Sequence, residues 1–179
     1  KGQVLNELPS RTDINLAVEL GAEEAALYEA QRLSALAEIE SNDEGDSAVA
    51  VLAHLTRLRL LACSPRLVVP DFAGTGAKLA AFAEVATNLQ SGGHRALVFS
   101  QFVKHLALIR AWLDEQKIAY HYLDGSTPAR KRDAEVAAFQ SGTAPFFLIS
   151  TRAGGQGLNL TAADYVIHMD PWWNPAVED

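Results

Sequence analysis

Phe146-Phe147-Leu148-Ile149-Ser150-Thr151-Arg152-Ala153-Gly154-Gly155-Gln156-Gly157 runs an unbroken apolar stretch straight into a glycine-rich one. Consecutive bulky apolar residues suit a strand buried on both faces, and glycines at 154, 155 and 157 suit a backbone that turns sharply where the strand ends. The same apolar signature returns at Ala96-Leu97-Val98-Phe99, and further strands are predicted at Ala119–Leu123 and Tyr165–Met169. Helical spacing separates them over Lys78–Leu89, Val103–Gln116 and Pro128–Phe139, the last with Pro in its first turn. Strands alternating with helices imply an α/β fold, a parallel sheet covered by helices on both faces. Ligands of such sheets gather at the carboxyl ends of the strands. Those ends are Ser100-Gln101, Asp124-Gly125-Ser126, Ser150-Thr151-Arg152 and Asp170.

Outward from this core, the N-terminal part reads differently. Asn15–Leu20, with Ile14, Leu16, Val18 and Leu20 on one side, predicts a short strand, and Ala22–Ile39 predicts an Ala/Glu/Leu-rich helix. A polar loop at Ser41–Ser47 breaks it, and a second helix over about 48–62 stops before Ser64-Pro65. The division expected is a small helical segment at 1–75 leading into a sheet domain at 76–179.

Charge follows the same division. The chain of 179 residues has a net charge of −7, which would argue against a nucleic-acid partner. Residues 1–46 hold three Lys/Arg against eleven Asp/Glu, whereas 47–179 hold twelve against eleven. The acidity therefore belongs to the lead-in, and the sheet domain is close to neutral. With 49% hydrophobic and 21% charged residues the composition is that of a soluble globular protein. No apolar run approaches the roughly 18 residues that span a bilayer, so no membrane partner is expected. The single cysteine, Cys63, cannot form an internal disulfide, and a reducing intracellular compartment is the expectation.

Several suggestive patterns fail on chemistry. Gly74-Thr75-Gly76-Ala77-Lys78 resembles a phosphate loop but lacks Gly before and Ser/Thr after the lysine, so a loop entering a helix is expected. Gly155-Gln156-Gly157 begins a dinucleotide fingerprint whose third glycine would fall on Leu160. Asp114-Glu115 sits on the polar end of a helix rather than after a buried strand. The histidines at 54, 94, 105, 121 and 168 show no zinc spacing with Cys63. No catalytic residue and no metal ligand is assigned.

The segment Ser150–Asp164 remains. Glycines after a buried strand can expose consecutive backbone N–H groups, a concavity suited to anions, with Thr151, Arg152, Asn159 and Thr161 around it. A tight strand-to-helix turn is the plainer account of the same residues. Ser150–Asp164 resembles motif V of the Swi/Snf-type ATPases, a branch of the superfamily 2 helicases. His94–Phe102 resembles their motif IV. Leu123-Asp124-Gly125-Ser126-Thr127, with Arg130 and Phe139, is similar to the block between the two motifs. Val166-Ile167-His168-Met169-Asp170-Pro171-Trp172-Trp173-Asn174-Pro175 is similar to the family's Asp-x-x-Trp-Asn-Pro element. Leu8-Pro9 with Glu24–Tyr28, and Leu55-Thr56-Arg57-Leu58-Arg59 with Ser64-Pro65, resemble the family's lead-in.

The resemblance implies a RecA-like second lobe that, with a first lobe, clamps ATP and tracks along double-stranded DNA. ATP and Mg2+ are the implied cofactors, with the Mg2+ ligands in a first lobe absent from this sequence. Motif VI, which bears an arginine that stabilises transition-state charge, would begin where the chain ends at Asp179, so the chain alone is expected not to hydrolyse ATP. Carried over by position, Gly155 and Gly157 are expected to approach nucleotide. Ser100, Gln101, Arg130, Thr151, Asn159 and Trp173 are expected to face DNA. Trp173 could equally be a core residue, and Arg130-Lys131-Arg132 a solvated helix face. The implied partners are duplex DNA, the first lobe and a transcription or repair complex. The location would be cytoplasmic, on the nucleoid, in a bacterium, or nuclear in a eukaryote; ten Arg against five Lys, with abundant Ala, favours the bacterial case. An RNA-helicase second lobe and a non-enzymatic RecA-like module are the competing readings.

Overall fold

The computed structural model describes residues 12–41, 47–155, 158 and 160–171. Two helices lead in, α1 (Ala22–Ser41) and α2 (Ser47–Cys63), followed by a 3-10 turn at Pro65–Leu67. Helix α3 (Ala77–Ser91) then opens the alternation β1 (Ala96–Ser100), α4 (Val103–Glu115), β2 (Tyr120–Leu123), α5 (Ala129–Gln140), β3 (Phe146–Ser150), α6 (Thr151–Gly154) and β4 (Tyr165–His168). The sheet has the order β2-β3-β1-β4, and every pairing is parallel. This is the RecA-like α/β arrangement expected from the sequence, a parallel sheet flanked by helices and preceded by a helical segment.

The apolar runs at 96–99 and 146–149 form the central strands because both of their faces are needed. Ala96, Val98, Phe146 and Leu148 point into one core with Leu79, Phe82, Ala86 and Leu89 of α3 and Leu106, Ile109 and Leu113 of α4. Leu97, Phe147 and Ile149 point into the other, with Phe139 of α5 and Ala153 of α6, and with Leu158, Leu160, Ala162 and Ala163 packed alongside. Phe139, Phe146 and Phe147 have no exposed surface. Burying each such side chain favours the fold by about 1.5–3 kcal/mol, so the two central strands anchor the domain.

Three local expectations need correction. No strand forms at 15–20: residues 12–21 have no regular structure, and Ile14 and Leu16 are 81% and 62% exposed. Alternation makes a strand only where a partner edge and a buried face are available. Helix α5 starts at Ala129, one residue after Pro128, which precedes it in an extended conformation (φ −59°, ψ 148°). Cover on both faces holds for β1 and β3 but not for the edge strand β4, where Tyr165 and Val166 are 43% and 55% exposed. Among the described residues no helix is long and apolar enough to cross a membrane.

The lead-in is bonded to the sheet domain by a carboxylate. Glu24, on the first turn of α1 and only 7% exposed, accepts from the Ala77 N–H with both oxygens (3.0 and 3.1 Å) and from the Gly21 N–H (3.0 Å). Its charge therefore sits on the N-terminus of α3, where unpaired N–H groups and the helix dipole favour an anion. Gly76 makes the approach feasible. Its φ is +92°, and a Cβ there would lie 3.3 Å from the Ser64 hydroxyl. The loop at 74–78 thus enters a helix, as its failed phosphate-loop chemistry required, and the place a phosphate would take is filled from within.

Glu24→Ala should destabilise the chain by about 1–3 kcal/mol, and Glu24→Gln, which keeps one acceptor, by less. Urea unfolding reads this as a lowered midpoint with an unchanged slope.

Candidate functional site

Parallel pairing in register brings the strand ends onto one rim. Leu123, Ile149, Phe99 and His168 form a single row across the sheet. The residues that follow that row are Asp124, Ser150, Ser100 and Met169, so the segments singled out at the strand ends share one edge of the sheet.

At the centre of the rim lies Asp170, 7% exposed. One of its oxygens accepts from the Ser100 hydroxyl, and the other from the Gln101 N–H at 3.0 Å. The Ser100 hydroxyl in turn accepts from the Phe102 N–H (3.1 Å), which closes the turn between β1 and α4. The carbonyl of Pro171 accepts from the Gln101 side chain (3.5 Å) and from Arg59 of α2 (2.9 Å). Burial pushes the Asp170 carboxyl up, yet the neighbouring His105 ring and the bonds from Ser100 and Gln101 hold it below the ordinary carboxylate range.

Behind Asp170, Cys63, His105 and Asp170 place ligand-type atoms within 4.8 Å of one another, all buried. Sequence spacing could not show this trio, because its members come from α2, α4 and the end of β4. The chemistry does not favour a metal. Both Asp170 oxygens are already engaged by donors within the rim, and burial, reinforced by the Asp170 charge, pushes the Cys63 thiol up to about 12. The His105 Nδ1 lies 3.9 Å from Asp170, an electrostatic contact rather than a hydrogen bond.

The second part of the rim is the turn after β2. Asp124 accepts from the N–H and hydroxyl of Ser126 (2.8 and 2.6 Å) and from Tyr122 OH (2.7 Å), while its own N–H donates to Thr127 Oγ1 (3.0 Å). The Ser126 hydroxyl foremost, with Tyr122 and Thr127, holds the Asp124 carboxyl down at about 2. These bonds preform the turn that launches α5 and set Arg130, which is exposed, on its first turn.

The third part is the glycine-rich segment. Instead of an open loop, Thr151–Gly154 is a single helical turn whose N-cap is Ser150, the hydroxyl accepting from the Ala153 N–H at 3.4 Å. Gly154 is the constrained glycine. A Cβ there would lie 2.6 Å from the ring of Phe99, which itself stacks on His168 at 5.5 Å. Gly155 is exposed and meets nothing closer than the Thr151 carbonyl at 3.9 Å. Arg132 of α5 reaches the Ala153 carbonyl at 3.5 Å and ties this turn to α5.

The expected contact residues therefore divide. Gln101, Arg130, Thr151 and Gly155 stand on the rim with some surface open to solvent. Ser100 has none: its side chain is fully buried and committed to Asp170 and Phe102, so it supports the rim rather than meeting a ligand. Gly157, Asn159 and Trp173 lie outside the described residues. Asp170, Gly154 and Arg59 were not assigned roles from the sequence. The buried acid was the one with a readable signal, a carboxylate at the end of an apolar strand.

Residues 77–179 match the family described as the helicase conserved C-terminal domain. An ATP-dependent helicase of Mycoplasma genitalium, MG018, is 35% identical over 184 residues, covering 100% of this chain and 17% of that protein. The human chromatin-remodeling ATPase INO80 is 46% identical over 102 residues, 56% of this chain and 7% of that protein. The chain thus spans less than a fifth of the length of these relatives. The Sulfolobus solfataricus SWI2/SNF2 ATPase core in complex with dsDNA superposes with a TM-score of 0.84 at 28% identity, covering 95% of this chain and 37% of that one.

Because the Asp170 pKa is lowered by folding, its contribution to stability is complete above the ordinary carboxylate value of about 3.9 and is lost as pH falls below it. Asp170→Asn should lower stability at pH 7 and flatten the acid limb of the stability profile, as read by urea midpoints between pH 7 and 2.5.

Proposed function

The chain belongs to the helicase conserved C-terminal domain family, in its Swi2/Snf2 branch, and we propose that it is the second lobe of an ATP-dependent translocase on double-stranded DNA. In this reading residues 1–75 are the lead-in and 76–179 the lobe. The rim supports the reading: Gln101 and Thr151 stand at the ends of parallel strands, with Arg130 on the first turn of α5 beyond β2, where ligands of such sheets bind. A solved relative of the same fold is a complex with dsDNA.

Each residue then has a chemical task. Arg130, Thr151 and the Gln101 side chain donate to phosphate oxygens, contacts that give affinity without reading sequence, as a motor moving over any sequence needs. Asn159 joins them, and Trp173 packs against the duplex to couple its position to the lobe. Ser100 and Asp170 hold Gln101 in place. Gly155 and Gly157 let the backbone come close to nucleotide held against the first lobe, and Gly154 lets that segment lie flat on Phe99. ATP with Mg2+ would supply the phosphoryl chemistry, its metal ligands and phosphate loop lying in the first lobe. The transition-state arginine would come from motif VI. The working partners are duplex DNA, the first lobe and a transcription or repair complex on a bacterial nucleoid.

The test is ATPase activity of the full-length polypeptide that contains this chain, with duplex DNA, single-stranded DNA or RNA added. Duplex DNA should stimulate most, and Trp173→Ala should lower the stimulated rate by about tenfold with folding intact. Stimulation by RNA alone would move the protein to the RNA helicases, and no activity under any condition would leave a RecA-like interaction module. Arg130→Ala should weaken duplex binding regardless of sequence and lessen the slope of log K against log salt by about one. The 179-residue chain by itself should hydrolyse ATP no faster than buffer.

A further inference from the structure

The lead-in helix α2 touches the rim directly, through one side chain. Arg59 is half-buried near the end of α2, and its Nη2 donates to the Pro171 carbonyl at 2.9 Å across 112 positions of sequence. Its guanidinium also lies 5.7 Å from the centre of the Phe102 ring. Phe102 is the first residue beyond the turn after β1, and its carbonyl accepts from the N–H groups of His105 and Leu106 at the start of α4. Pro171 follows Asp170 at the exit of β4. One cation therefore spans the exits of both strands between which the Asp170 carboxylate is held.

The contact has the character of a brace. A charged donor on a neutral carbonyl is stronger than a neutral pair, and the fixed fork of Arg can face a carbonyl while its plane covers a ring. The Pro171 carbonyl lies beyond the last residue of β4, and its donors among the described residues are Arg59 and, more distantly, Gln101. Asp170 secures β1 to β4 within the rim, whereas Arg59 secures the rim to the lead-in. The exposed Arg57, two residues earlier, lies about 200° round the helix from Arg59.

We propose that Arg59 is a positioning residue: by bracing Pro171 and Phe102 against α2, it fixes the rim in the orientation that engages duplex DNA. The proposal rests on the translocase reading. It assigns a task to the Leu-Thr-Arg-Leu-Arg helix and predicts that α2 and the rim respond to DNA as one body.

The experiment uses the full-length polypeptide and titrates duplex DNA in an ATPase assay. Arg59→Met keeps an unbranched apolar stem on α2 and removes the cation from both Pro171 and Phe102. It should raise the half-saturating DNA concentration by about five- to tenfold, the scale of one ordinary net hydrogen bond at a half-exposed site, with the rate at saturating DNA near wild type. Arg59→Lys, which retains a cation and a donor for the single Pro171 bond, should restore most of the loss. Arg57→Ala should behave as wild type. An unchanged half-saturating concentration in Arg59→Met overturns the proposal. So does a Lys variant as impaired as Met with an equally lowered unfolding midpoint, which would make the residue structural only. If the wild type is not stimulated by duplex DNA at all, the translocase reading itself fails, and with it the premise of the brace; a stimulated wild type with an indifferent Arg59→Met removes the brace alone.

Discussion

A carboxylate that is buried must be satisfied, and around Asp170 that requirement organises the exits of β1 and β4 at the centre of the carboxyl rim. Two parallel strands, β1 and β4, end side by side, and past the bond from the Met169 N–H to the Phe99 carbonyl (2.9 Å) their exits are joined through side chains. Asp170 joins them by accepting from the Ser100 hydroxyl and the Gln101 N–H at once. Removing it from water would be costly if either oxygen were left without a donor. The arrangement therefore tolerates little displacement: a shift of the turn after β1 would strand a charge in the interior. Rigidity of this kind is what a ligand surface needs from the structure beneath it, since side chains position a phosphate only as well as their own backbone is fixed.

The same physics recurs at the other end of the lead-in. Glu24 of α1 lies on the first N–H of α3, and Arg59 of α2 lies on the Pro171 carbonyl. Both contacts are between a charged side chain and a neutral backbone group, both cross long stretches of sequence, and both join the acidic lead-in to the near-neutral sheet domain. The apolar side chains of α1 and α2 contribute less to this junction, since Leu33, Leu36, Val49, Leu52 and Leu55 are all more than 40% exposed. The lead-in is thus attached by a few directional bonds rather than by a broad apolar core, which fixes its angle to the sheet at particular residues.

Much of this fold was legible because its strands have to be buried twice. Runs such as Phe146-Phe147-Leu148-Ile149 have no amphipathic alternative, and the helices between them were marked by period and by Gly or Pro at their ends. The segment at 15–20 misled for the complementary reason: alternation describes a face that needs covering but says nothing about whether an edge is there to pair with. At the site, sequence reading found the rim and its positions but could not tell contact from support. Ser100 and Gln101 are neighbours in an exposed-looking turn, yet one is sealed against Asp170 and the other reaches outward. Which of two adjacent polar residues is turned inward depends on a carboxylate seventy positions away, and no local pattern encodes that. Likewise the glycines at 154, 155 and 157 looked equivalent, whereas Gly154 is fixed by the ring of Phe99 and Gly155 is not.

Two glycine-rich turns in one chain make the remaining point about anion sites. Gly74-Thr75-Gly76 leads into the N-terminus of α3, where unpaired N–H groups attract negative charge, whereas Gly154-Gly155 closes the C-terminal end of the α6 turn, whose own N-terminus lies at Ser150. In the first, the attraction is consumed internally, because Glu24 places both oxygens on Ala77. In the second, Ser150 caps only the Ala153 N–H, and no carboxylate of the described residues is bonded to that turn. A glycine pattern reports that backbone can come close to an anion, not whose anion it will be. The deciding quantity is whether the protein's own acid already occupies the place. By that criterion the loop before α3, whose first helical N–H already holds the Glu24 carboxylate, has no place left for a phosphate.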